Sequence, residues 1–137
     1  MTVVDASVWV SRLVPQDLNH QASRKWLERH VAAGGLVVAP ALLLPEVAGA
    51  ISRRTGQPLL AHRAVAAIQR LAAVRLIPVD GQLATLAAQV VADHGLRGAD
   101  ALYVAVAQRL GLPLVTWDAE QTARAKGVVA VSDPRQA

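Results

Sequence analysis

The chain has no cysteine and no phenylalanine, and only three Trp and one Tyr supply its aromatic side chains. Without cysteine there is no disulfide framework and no thiolate chemistry, and a reducing compartment is permitted. Lysine is scarce too, with Lys25 and Lys126 the only examples. The N-terminus reads Met1-Thr2-Val3-Val4-Asp5, with no basic region ahead of an apolar stretch. No signal peptide is expected, and the expected location is cytoplasmic. From Val31 to Ser52 the only charge is Glu46, but Pro40, Pro45 and Gly34-Gly35 interrupt the run. A carboxylate at bilayer mid-depth costs about 2.5–3.5 kcal/mol or more, so the segment reads as a buried strand and helix.

Several nucleotide and hydrolase signatures are missing as well. No G-x-G-x-x-G follows the first apolar run, and no G-x-x-x-x-G-K-[ST] occurs anywhere. His20, His30, His62 and His94 form no H-x-x-x-H pair, which argues against zinc. Ser7 and Ser11 stand outside any G-x-S-x-G setting, which argues against a serine hydrolase.

What is present is an apolar share of 53% in 137 residues, rich in Ala and Leu, enough for one domain spanning 1–137. Short β-branched runs alternate with helical periodicity. Strands are expected at Val3-Val4, over 36–39, over 75–79, over 113–116 and over 128–131. Helices are expected over about 7–14, over 20–33 (capped by Asn19), from a start bracketed by Pro40 and Pro45 to about 55, and over 58–73, 80–94, 99–110 and 118–126. Glycines at 34–35, 56, 95, 111 and 127 mark helix ends. Pro78 places the third strand at an edge. The alternation predicts an α/β fold, a central parallel sheet of about four to five strands with helices on both faces. Sites in such sheets lie beyond the carboxyl ends of the strands.

Four carboxylates sit at those element boundaries. Asp5 closes the first strand, Glu46 and Asp100 head apolar helices, and Asp118 closes Leu114-Val115-Thr116-Trp117. Each has a plain reading as a helix cap or first-turn acid. Brought together they repel one another unless they hold a cation, and hard oxygen ligands suit Mg²⁺ or Mn²⁺. Thr116 shares a strand face with Asp118, and Ser7 follows Asp5 at the same interval, so both hydroxyls can serve a carboxylate or a metal-bound water. Glu120 reads as a solvated first-turn acid, with a fifth carboxylate as the alternative. Trp9, Trp26 and Tyr103 read as core, and Trp117 as packing. Net charge is +4; outside the four acids only six acidic residues face fourteen basic ones. An acidic pocket in a basic surface suits phosphodiester cleavage in nucleic acid, with simple solubility as the alternative.

Val3-Val4-Asp5-Ala6-Ser7-Val8, Leu42-Leu43-Leu44-Pro45-Glu46-Val47, Arg97-Gly98-Ala99-Asp100-Ala101-Leu102-Tyr103-Val104-Ala105-Val106-Ala107 and Gly111-Leu112-Pro113-Leu114-Val115-Thr116-Trp117-Asp118 together resemble the PIN-domain ribonucleases. Within them, the pattern is most similar to VapC toxins of prokaryotic toxin–antitoxin pairs. The resemblance covers nearly the whole chain, in order. It implies a Mg²⁺- or Mn²⁺-dependent RNA endonuclease, a homodimer, and inhibition by a VapB-type antitoxin. It places Asp5, Glu46, Asp100 and Asp118 on the family's acidic, metal-binding positions and Thr116 on its Thr-x-Asp motif.

Rival readings are a PIN nuclease of housekeeping RNA processing and a non-catalytic phosphate- or metal-binding signalling domain. A phospho-accepting domain would need a lysine near the pocket, and Lys126 precedes the last strand. A haloacid-dehalogenase-like phosphatase would want Asp where Ser7 stands.

Overall fold

The computed structural model describes all residues 1–137. Five strands form one parallel sheet: β1 (Thr2–Val4), β2 (Val37–Pro40), β3 (Val74–Ile77), β4 (Leu114–Val115) and β5 (Val131–Ser132). Their order is β3-β2-β1-β4-β5. The central strands β1, β2 and β4 are buried at every position, as continuous apolar runs in a doubly covered sheet should be. β3 is only partly buried and lies at the edge, as Pro78 predicts.

Seven helices connect the strands: α1 (Ala6–Leu13), α2 (His20–Ala32), α3 (Leu43–Thr55), α4 (Pro58–Arg70), α5 (Gly81–His94), α6 (Gly98–Leu110) and α7 (Ala119–Ala125). The chain steps from β1 to β2 to β3 in one direction, then crosses back to β4 and β5. Right-handed crossovers therefore put α1–α4 on one face and α5–α7 on the other. α6 packs on β1, β2 and β4 and is buried on most sides, including Ala101, Tyr103, Val104, Ala105, Val106 and Ala107. The reversal of direction falls between β1 and β4. This is the switch point at which α/β sheets open a crevice beyond their carboxyl ends.

Local chemistry sets the helix ends that matter to the crevice. Gly95 ends α5 at φ +67, a left-handed turn that glycine adopts without a Cβ penalty, and the chain re-enters helix at Gly98. Gly56 ends α3 in the same way. Pro58 opens α4 from its first turn. Asp80 caps α5 by accepting from Leu83 N at 2.8 Å.

Two local expectations are corrected. Asn19 occupies the cap position of α2, but its side chain makes no capping bond. Asp17 shapes that turn instead, accepting from Asn19 N at 2.8 Å. The last strand is Val131–Ser132, later than the apolar run over 128–131 suggests. The amides of Val128 and Val129 fold back on the Ala125 carbonyl, at 2.9 and 3.1 Å, and close α7 in a turn. No helix is long and apolar enough to cross a membrane.

Candidate active site

All four carboxylates lie at the carboxyl edge of the sheet. Asp5 follows β1 and caps α1, its Oδ2 accepting from Ser7 N at 2.9 Å. Asp118 follows β4 and caps α7, its Oδ1 accepting from Gln121 N at 2.9 Å. Glu46 and Asp100 lie in the first turns of α3 and α6, where the helix dipole favours negative charge. The capping reading of Asp5 and Asp118 is therefore correct as well, and it uses one oxygen of each.

A cavity of about 650 Å³ opens among Asp5, Glu46 and Asp100, with Asp17, Arg53 and Trp117 also on its wall. Asp118 lies outside that lining and acts on the cavity through its charge. Glu120 stands apart, exposed and paired with Arg97 and Arg124 at 3.4 and 3.1 Å. Its solvated reading holds.

Burial and mutual repulsion raise three of the four carboxyls. Asp100 is pushed up to about 6, by burial first and then by the charges of Asp5, Asp118 and Glu46, with only Arg97 opposing. Asp5 is raised by burial, against hydrogen bonds from Ser7 and Thr116. Glu46 is raised by burial, against a hydrogen bond from Tyr103, and Asp5 adds repulsion. Asp17, on the same wall, behaves oppositely. Burial opposes its ionisation, but hydrogen bonds from Asn19 N and Arg54 outweigh it and hold the carboxyl below the usual range. Asp17 is also less deeply buried and has an ion-pair partner, Arg54 Nη1 at 2.7 Å, whereas none of the four has one.

Hydroxyls tie the site together. Thr116 Oγ1 donates to Asp5 Oδ2 at 3.3 Å, accepts from Asp118 N at 3.0 Å and lies 3.3 Å from Ser7 Oγ. Ser7 Oγ accepts from Trp117 N at 3.0 Å. These bonds join the ends of β1 and β4 across the switch point, as the spacing of Ser7 and Thr116 suggests. Trp117, on the cavity wall, donates its indole N–H to Ser23 Oγ at 2.7 Å, and the Arg135 guanidinium lies over its ring at 5.0 Å.

The reading of Tyr103 as plain core needs correction. Its side chain is fully buried, yet its hydroxyl donates to Glu46 Oε1 at 2.6 Å. Burial and the adjoining Glu46 charge hold the phenol far above its usual range, so it keeps its proton and donates. Asp17, Arg53 and Tyr103 are the wall and support residues that sequence reading missed.

A family model, PIN domain, matches residues 2–127. The chain belongs to the PIN domain family. Among solved structures, this PIN domain is similar to VapC20 of Mycobacterium tuberculosis, described as a sarcin-ricin loop cleaving toxin. The two share 25% identity over 94% of this chain and 97% of that one, with a TM-score of 0.77. FitAcB from Neisseria gonorrhoeae shares the fold at 21% identity, a TM-score of 0.72 and full coverage of both chains. A toxin–antitoxin complex from Klebsiella pneumoniae shares it at 16% identity, with a TM-score of 0.65 and 98% of each chain covered. No curated protein sequence matches the chain at a significant level.

The donor set of this PIN domain fits a hard divalent cation. Asp5 Oδ1, Glu46 Oε2, Asp118 Oδ2 and both Asp100 oxygens accept no hydrogen bond from the protein. No three of these side chains converge to direct ligand distance. Free carboxylate oxygens are hard donors of the kind Mg²⁺ takes. Uncompensated carboxylates with raised proton affinity are what such an ion relieves.

Proposed function

We propose that this PIN domain is a Mg²⁺- or Mn²⁺-dependent RNA endonuclease and the toxin of a toxin–antitoxin pair. One observation carries the reading. Asp5, Glu46 and Asp100 share one cavity at the switch point, unpaired with any cation, and their family is shown. The similarity to VapC20 supports RNA as the substrate and toxicity as the role. The toxin–antitoxin complex among the fold relatives supports a small antitoxin as partner. A homodimer and a cytoplasmic location complete the reading.

Asp5, Glu46 and Asp100 would hold the ion, with Asp118 completing the negative field. The ion, when bound, supplies positive charge for the scissile phosphate and lowers the pKa of a bound water. The protein's own contribution is orientation. Ser7 and Thr116 fix Oδ2 of Asp5 and leave Oδ1 available. Tyr103 does the same for Glu46, and Gln121 links the two remaining acids. Its amide nitrogen donates to the Asp100 carbonyl at 3.2 Å, and its backbone N–H donates to Asp118. No side chain acts as nucleophile.

The test is cleavage of a structured RNA and a matched DNA with Mn²⁺ or with EDTA. RNA cleavage only with metal, suppressed by a co-purifying antitoxin from an adjacent gene, is expected. Equal cleavage in EDTA, or none of either substrate, contradicts the reading.

A further inference from the structure

Glu46 is the one carboxylate of the site held by a side chain from the opposite face of the sheet. It stands on α3, and its partner Tyr103 stands on α6, one turn beyond Asp100. The phenol oxygen lies 2.6 Å from Glu46 Oε1. The Tyr103 side chain is fully buried, among α6 neighbours that are buried too. It has two torsions and no room to use them, so it is a stiff strut. Glu46 is the opposite case. It is only partly buried, carries a flexible side chain and forms no ion pair. The phenol is its only side-chain partner in the protein.

We propose that Tyr103 is a positioning residue for divalent-cation binding: its hydroxyl occupies Oε1 of Glu46 and leaves Oε2 as a single donor of fixed direction. The inference rests on the metal-site reading above. It adds which neutral side chain sets the geometry and how Glu46 binds. A flexible glutamate can offer either oxygen, or both, in many directions. A tethered one offers a single oxygen in one direction and loses less freedom when the ion arrives. Tyr103 therefore also couples α3 to α6, so that Glu46 and Asp100 keep a constant separation.

The test is calorimetric titration of Mn²⁺ into the full chain at one pH, for wild type, Tyr103→Phe, Glu46→Ala and the double variant. Tyr103→Phe deletes one oxygen and keeps the ring. Its metal-free melting temperature should stay close to wild type, while its Mn²⁺ dissociation constant rises about 10–100-fold, as for other groups that orient a ligand. In the Glu46→Ala background the same substitution should change nothing further, because its route is gone. A 4-aminophenylalanine at position 103 keeps a donor in place and should restore most of the affinity, which also covers a Phe variant that fails to fold. Wild-type affinity in Tyr103→Phe overturns the positioning role and leaves the metal site standing. So does an undiminished effect in the Glu46→Ala background, or no recovery with the amino analogue. A wild-type protein that binds no Mn²⁺ overturns the metal site itself, and this role with it.

Discussion

At Asp100, burial and three neighbouring carboxylates act in one direction, and Arg97 alone opposes them. The carboxyl is raised from 3.8 to about 6, so the folded protein holds a proton that the unfolded chain has already released. Stability from this group is fully present below the unfolded value and is lost as pH rises through the folded one. Asp5 and Glu46, shifted in the same direction, add to the effect. The metal-free protein should therefore melt at progressively lower temperature as pH is raised from about 4 to about 7. The decline should shrink in Asp100→Asn. With millimolar Mn²⁺ the trend should reverse, because the ion binds the ionised form and stabilises by mass action. Calorimetric scans across that window, with Mn²⁺ and with EDTA, check both signs. A melting temperature that rises with pH in EDTA would show that the carboxylates are already compensated.

Among the elements, α3 supplies the one cation on the cavity wall that forms no ion pair. Pro45, Glu46, Ala50 and Arg53 line the cavity from one helix face. Arg54 is committed to Asp17, whereas Arg53 forms no ion pair. The Arg53 guanidinium lies over Gly49, where a Cβ would stand 2.9 Å from Nη1. A mid-helix glycine costs about 0.5–1 kcal/mol relative to alanine, and a Cβ here would meet only the flexible end of the Arg53 side chain. Arg53→Gln should weaken RNA binding and make its log–log salt dependence shallower by about one, the signature of one lost phosphate contact. Mn²⁺ binding should be unchanged. Filter binding between low and moderate salt reads this, and an identical slope would take Arg53 off the RNA path. How far each element was legible follows from the same physics. β1, β2 and α6 read clearly because burial on both faces leaves uninterrupted apolar runs, and the ends of α3 and α5 read clearly because their glycines are left-handed. The start of β5 did not, since backbone bonds to Ala125 claim the first two valines. Asn19 read as a cap because composition favours it, yet Asp17 makes the bond. Tyr103 was hidden because an aromatic in an apolar helix is normally core, and its partner lies 57 residues away in sequence.

For the molecule as a whole, the fold concentrates uncompensated negative charge at one point and leaves positive charge elsewhere. Of the six acidic residues outside the cluster, Asp17, Glu28, Glu120 and Asp133 are each paired with an arginine. The four at the switch point are not. On the proposed function, a basic exterior would draw in a polyanion and the acidic crevice would hold the ions that act on it. That crevice either does chemistry or only terminates helices. Asn caps a helix about as well as Asp, so Asp100→Asn separates the two. The deciding measurement is the RNA cleavage rate of wild type and Asp100→Asn in Mn²⁺, paired with their metal-free melting temperatures. The expected result is a folded variant, at least as heat-stable as wild type, whose rate falls by about two orders of magnitude or more. A folded Asp100→Asn that cleaves at the wild-type rate would contradict it.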